Sequence, residues 1–186
     1  MSIVNSQRLQ LVPMHLELLE ALRDGDTKKV ETIAQFRIPL NLSLRRSALT
    51  RRIDQLREHP SLLPWLLRAV VVRESGLMCG RIGFHSSPCP DDLADVAPEG
   101  VELGYEIDPR FRRRGYAKEA VIALMKWAFD RHKQKIFVLS ISPTNTASLA
   151  IASTLGFRQQ GSHADAEDGL ELYFVRRIER WPNEWQ

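Results

Sequence analysis

Three consecutive arginines, Arg112-Arg113-Arg114, stand immediately before Gly115 and the long apolar-periodic run that begins at Tyr116. A helix starting there turns its positive dipole end and its unpaired first-turn N–H groups toward those arginines. Cations at that pole are disfavoured by about 0.3–1 kcal/mol each unless an anion lies among them. Two readings stay open. In one, backbone N–H groups bind a phosphate, the guanidiniums clamp it, and Gly115 lets the chain approach closely. In the other, residues 110–115 are a solvent-exposed basic loop whose repulsion is screened by salt. A dinucleotide site fits less well, because the two further glycines of its fingerprint are missing.

The elements that must position this loop follow from periodicity. Residues 101–108 read as a strand closed by Pro109. Residues 116–132 are the best helix: Ala117, Ala120, Val121, Leu124, Trp127 and Ala128 repeat at three and four residues without Gly or Pro. A strand over 135–141 and a short helix over 145–154 come next, ended by Gly156. Upstream, 8–12 alternates as a strand, and 14–23, 27–36 and 44–59 carry helical stripes. The runs 66–73 and 77–86 form a hairpin around Glu74-Ser75-Gly76, and residues 87–100, rich in Pro, Gly and acids, read mostly as loop. Strands over 157–160 and 170–177 close the chain as a hairpin around 163–169. Hairpins imply antiparallel pairs, whereas strand–helix–strand over 101–141 requires a parallel neighbour reached by a right-handed crossover. The expected class is α/β in the mixed α+β sense, with helices on both sheet faces.

At 186 residues, 44% hydrophobic and 26% charged, the chain suits one globular domain over 1–186 rather than a disordered or fibrous chain. No apolar run reaches the roughly 20 residues of a membrane span. Residues 1–10 lack a charged-then-apolar leader pattern. Cys79 and Cys89 are too few for a disulfide framework and badly placed for zinc, so no metal is expected and the cytoplasm is the expected location. A net charge of +3 does not by itself argue for nucleic acid. Arg45, Arg46, Arg51, Arg52 and Arg57 read better as a solvated helix face than as an RNA patch, because Asp54 and Glu58 interleave and aromatics are absent. Trp65 and Trp127 suit a core or the lining of a substrate groove, and the core fits better. Trp181 and Trp185 suit packing back on the sheet or on a second copy in a homodimer. His85 and His163 are candidates for substrate contact, although isolated histidines are usually structural.

The arginine segment also carries a resemblance. Arg112-x-x-Gly115-x-Ala117, after a strand and opening a helix, resembles the acetyl-coenzyme A motif of the GNAT N-acetyltransferases. Val101-Glu-Leu-Gly-Tyr-Glu-Ile-Asp-Pro, Gly115-Tyr-Ala-Lys-Glu-Ala, Asn145-Thr-Ala-Ser148 and Leu155-Gly156-Phe157 resemble the RimJ/RimL-like branch in the same order. That branch includes enzymes that acetylate ribosomal-protein N-termini. The resemblance implies the GNAT fold: a central, mostly antiparallel mixed sheet whose parallel strands splay apart, with helices on both faces. It implies a cofactor half over about 100–160, in which the backbone of Glu106, Ile107 and Asp108 pairs with the pantetheine arm. Arg112, Arg113, Arg114, Gly115, Tyr116 and Ala117 would hold the phosphates, and Asn145 and Ser148 match a second cofactor motif. For Asn145 and Ser148 an ordinary N-cap arrangement is an equal and compatible reading.

By similarity, acetyl-CoA is the co-substrate and a primary amine attacks its thioester directly. The amine is a protein N-terminus or a small molecule; neither a membrane nor direct nucleic-acid binding is implied. A base must take the amine's proton, and Glu102 matches the branch's Glu-Leu/Ile-Gly-Tyr pattern, with Glu106 as the alternative. Four residues apart, the two share one side of an ideal strand, and a bulge would separate them. Ala152 stands where many relatives place a general-acid tyrosine, which motivates the alternative of a non-catalytic acyl-CoA-binding sensor. The acceptor pocket is expected from about 27–60 and from the loops at 87–100 and 161–169.

Overall fold

Leu49, Ile53 and Leu56 recur at steps of four and three residues, and each is nearly inaccessible. The computed structural model describes residues 2–34, 36–39, 45–165 and 169–185. There these side chains project from α3 (Arg46–Glu58) into one cluster with Leu18 and Leu19 of α1 (Leu16–Asp24). Gly25, at φ 72°, ends α1 in a left-handed cap, and Asp26 caps α2 (Thr27–Ile33) by accepting from the Lys29 N–H. Arg57 pairs across to Glu20 at 2.6 Å and Arg52 donates to Gln55, so arginines of α3 are engaged within the protein. Residues 40–44 of the expected acceptor region lie outside the described residues.

The strands are β1 (Val4–Asn5), β2 (Leu9–Pro13), β3 (Arg68–Val72), β4 (Leu77–Phe84), β5 (Val101–Ile107), β6 (Ile136–Ile141), β7 (Arg158–Asp165) and β8 (Gly169–Arg177), with α4 (Tyr116–His132) and α5 (Thr146–Thr154) between β5 and β7. The class is mixed α/β, mostly antiparallel with one parallel pair, β5 with β6. The chain divides into two compact units, Met1–Gly83 with Tyr105–Leu124, and Phe84–Gly104 with Met125–Gln186.

In the first unit β1, β2, β3 and β4 form an antiparallel meander, with Leu11 opposite Val70 and an irregularity at Val70/Val71. Val12, Ala69, Val71 and Met78 face the same cluster as α1 and α3. The C-terminal end of β5 runs beside β4: the Asp108 N–H donates to the Cys79 carbonyl at 2.9 Å. Contact is so close that a Cβ at Gly80 would stand 2.2 Å from the Glu106 carbonyl oxygen.

In the second unit the order is β5-β6-β8-β7. The parallel ladder pairs Val101 with Phe137 and Glu102 with Val138, at the start of both strands. β6 pairs with β8 from Ile136–Arg177 to Ile141–Leu172. The sequence pattern predicts a turn over 163–169, but β7 runs on to Asp165, with His163 opposite Glu171. Cross-strand packing, including the His163 ring stacked 4.3 Å from Tyr173, sustains a strand whose polar sequence shows no apolar alternation. Residues 166–168 lie outside the described residues. The Trp181 ring meets Phe129 at a tilt and Trp185 edge-on, so the polar tail packs back within this unit.

Candidate active site

Between β5 and α4 the chain makes a tight, basic turn in the first unit. Asp108 anchors its start, accepting from the Arg110 N–H at 3.0 Å and from Arg110 Nε at 2.8 Å. The Asp108 carboxyl is held below its ordinary range chiefly by that side-chain hydrogen bond, against a smaller opposing effect of burial. Arg112 folds back so that Nε donates to the Ile107 carbonyl at 2.9 Å. Arg113 and Gly115 both have positive φ, 61° and 79°. Such alternation gathers successive N–H groups into an anion-binding concavity. The first α-helical bond of α4 runs from the Glu119 N–H to the Gly115 carbonyl. The N–H groups of Tyr116, Ala117 and Lys118 therefore precede helical pairing.

A first-turn glutamate would normally oppose an anion here, and Glu119 is turned to another task. It accepts from Ser6 Oγ (2.7 Å), the Arg8 N–H (2.8 Å) and Arg8 Nε (2.7 Å). Burial, the largest single influence, raises the Glu119 pKa, but the bonds from Ser6 and Arg8 together bring it below normal. Arg8 also donates to the Arg114 carbonyl at 3.0 Å and lies 4.9 Å from the Tyr116 ring centre. Arg8 thus neutralises the one acid in the first turn and ties the loop to the β1–β2 turn. Arg113 is exposed, and its side chain makes no hydrogen bond, ion pair or ring contact among the described residues.

The structure separates the two strand glutamates. Glu106 is half-buried and paired with Arg81 at 2.7 Å. Glu102 is buried in the second unit, where Oε1 stands 3.2 Å from His85 Nδ1. Burial is the largest influence on Glu102 and raises its pKa. The His85 hydrogen bond and charge, with smaller help from Ser140 and His163, outweigh it, so the carboxylate sits below its usual range. Ser140 Oγ is buried without a well-formed hydrogen bond, so it helps as a nearby dipole rather than as an aligned donor. Tyr173 is shifted the other way, upward, first by burial and then by Glu102, Asp92 and Glu171, so its phenol is neutral in ordinary buffers.

Of the three residues expected to offer backbone to a pantetheine arm, Glu106 and Asp108 direct theirs toward β4. The Asp108 N–H is bonded to Cys79, and the Glu106 carbonyl lies against Gly80. Alternation along β5 leaves Ile107 facing the opposite edge. Asn145 caps α5: its Oδ1 accepts from the Ser148 N–H at 3.2 Å, which leaves the amide nitrogen of Asn145 for another contact. Ala152 is fully buried and supplies no hydroxyl. Among the described residues no three His, Cys, Asp or Glu side chains gather into a metal-sized group. Cys79 is buried, which pushes its thiol up to about 12, and Cys89 is an exposed free thiol.

Sequence reasoning did not find Arg8, Ser6, Glu119 or Ser140, and it gave His85 no partner. Arg8 and Glu119 are 111 positions apart, and no periodicity links them. His85 meets Glu102 only through the register that places the His85 N–H on the Glu102 carbonyl at 2.9 Å.

A strand, a positive-φ basic turn and a helix whose first-turn N–H groups precede helical pairing follow one another directly, in a mixed α/β protein. Residues 8–158 match the family model described as an acetyltransferase (GNAT) domain, and the chain belongs to that family. An uncharacterised N-acetyltransferase, p20, of Bacillus licheniformis is 25% identical over 116 residues, covering 60% of this chain and 61% of that protein. Among solved structures, ribosomal-protein-S5-alanine acetyltransferase of Vibrio fischeri superimposes with a TM-score of 0.63 at 14% identity, covering 98% of this chain and all of that one. RimL, a ribosomal L7/L12 alpha-N-protein acetyltransferase in complex with coenzyme A, gives 0.62 at 19% identity, covering 96% of this chain and 99% of that one.

Proposed function

We propose that this protein transfers the acetyl group of acetyl-CoA to a primary amine, with a protein N-terminal α-amine as the acceptor class. The observation that carries the reading is the 107–119 segment. Its positive-φ turn and first-turn N–H groups fit a pyrophosphate, and Arg8 removes the acid that would repel it. Arg113, exposed and without a side-chain hydrogen bond or ion pair, would reach a peripheral phosphate of the coenzyme, and the outward Ile107 N–H, its carbonyl being taken by Arg112, would donate to the amide arm. Acetyl-CoA supplies the activated acyl group. The chain's own part is to hold it, to orient the amine and to manage one proton.

Glu102 is the charged end of that proton path. Buried and ionised, it holds a fixed negative charge four to six residues before the positions expected for the coenzyme arm, Glu106 to Asp108. Support for a protein α-amine comes from two proteins that share the fold, a ribosomal-protein-S5-alanine acetyltransferase and a ribosomal L7/L12 alpha-N-protein acetyltransferase. The acid–base match agrees. An α-amine has pKa of about 7.7–8.0, against about 10.4 for lysine, and suits a modest base.

Calorimetric titration with acetyl-CoA, and with dephospho-CoA as control, tests the first half. Micromolar binding that weakens without the 3′-phosphate is expected. Thiol release with peptides beginning Ser, Ala or Met tests the second half. No heat with acetyl-CoA, or binding without thiol release for any peptide or small amine, would refute the reading. The latter result would favour an acyl-CoA sensor, the role that Ala152 suggests.

A further inference from the structure

We infer that His85, held by Glu102, is the catalytic residue that takes the proton from the attacking amine, an inference that rests on the acetyl-transfer reading above. The imidazole sits where the end of β4 meets β5, with the His85 N–H on the Glu102 carbonyl at 2.9 Å and Nδ1 3.2 Å from Glu102 Oε1. Exposure divides their tasks. The Glu102 side chain is 10% accessible and that of His85 is 42%, so the carboxylate is shielded while the ring reaches solvent. With Nδ1–H directed at the carboxylate, Nε2 is the acceptor nitrogen of the neutral ring.

Gly104 shows that the ring's place is built into the strand. His85 Nε2 lies over its backbone, and a Cβ at position 104 would stand 2.6 Å from that nitrogen. Any other residue would push the ring away, and glycine within a strand is otherwise unfavourable. The polar groups acting on Glu102 besides His85 are Ser140 of β6 and His163 of β7, while Tyr173 of β8, itself influenced by Glu102, also faces Asp92 and Glu171. Glu102, shielded and a weaker base than an ordinary carboxylate, suits orienting the imidazole and stabilising its protonated form. It is the positioning residue.

The transfer balances without another reactant. The amine lone pair forms the N–C bond to the thioester carbonyl carbon, and the carbonyl π pair moves to oxygen. Nε2 takes one proton from that nitrogen. The carbonyl re-forms, the C–S bond breaks with its pair on sulfur, and the imidazolium returns its proton to the thiolate, directly or through a water. Amide and free thiol result, with His85 and Glu102 unchanged.

The test compares the native chain with His85→Ala, His85→Gln and Glu102→Gln from pH 6 to 9. It uses acetyl-CoA calorimetry and thiol release with N-terminal Ser and Ala peptides. For the His85 variants kcat should fall about 10²–10⁴-fold, acetyl-CoA affinity should stay within twofold, and the acid limb of the kcat/KM profile should vanish. Added imidazole should partly restore His85→Ala. Glu102→Gln should lower kcat less, leave the peptide KM unchanged and gain nothing from imidazole. Native kcat in His85→Ala, with native acetyl-CoA binding, overturns the inference and leaves acetyl transfer standing. Parallel loss of acetyl-CoA binding and kcat in both His85 variants makes the residue structural and also overturns it. A native chain that releases no thiol with any acceptor overturns both readings.

Discussion

Replacing Arg8 with alanine removes three contacts at once, and the structure sets the size of the effect. The ion pair with Glu119, at 2.7 Å with side chains 47% and 16% exposed, is partly screened and contributes up to about 1 kcal/mol. The hydrogen bond to the Arg114 carbonyl adds about 1 kcal/mol, and the Tyr116 contact about 0.5 kcal/mol. Neighbouring terms do not add fully, so about 2 kcal/mol is expected, or a fall in Tm of about 4–8 °C for a chain of this length. The loss also leaves Glu119 charged beside the first-turn N–H groups. Acetyl-CoA affinity should therefore drop by about 1–2 kcal/mol, roughly 5–30-fold. Glu119→Gln, which removes the charge and keeps the shape, should cost stability without that loss of affinity. The pH dependence has a defined sign. Glu119 is depressed in the folded state, so its contribution is present above the ordinary carboxylate range and is lost as pH falls through the lower folded value. The Tm gap between native and Arg8→Ala should thus close in acid. Thermal unfolding and calorimetry read both effects. An Arg8→Ala chain with Tm within 1 °C and acetyl-CoA Kd within twofold of native would refute the argument that this clasp holds the loop.

Arg113→Ala should weaken acetyl-CoA about 5–10-fold with Tm unchanged, because the side chain is exposed and unengaged; equal weakening of dephospho-CoA would show that it does not reach the 3′-phosphate. Gly80→Ala places a Cβ 2.2 Å from a backbone oxygen of β5 and should destabilise by about 3 kcal/mol or more, read as a large fall in the urea midpoint; a native midpoint would contradict the close β4–β5 approach. Gly104→Ala should keep the fold and native acetyl-CoA affinity but lower kcat at least tenfold by displacing the His85 ring, and native turnover would show that the ring's position does not matter.

Local pattern made much of the scaffold legible. The α4 stripe, the β3–β4 hairpin, the Asn145 cap and the basic turn before Tyr116 all depend on residues within a few positions of one another. Where the pattern misled, long-range packing had decided the outcome. The 161–165 stretch has no apolar alternation, yet it is held as strand by its pairing with β8. Glu102 and Glu106, equivalent on an ideal strand, became a buried partner of His85 and a half-exposed partner of Arg81.

What the sequence by itself determined was the order of elements and the charge and turn chemistry at 112–117, because propensity, capping and helix-dipole effects act over one or two turns. Only the tertiary structure decided which carboxylate meets an imidazole and which arginine disarms Glu119. Those pairings depend on contacts 17 to 111 positions apart, and for the two strand glutamates on the register of β5, where a one-residue slip would send both carboxylates to the other face.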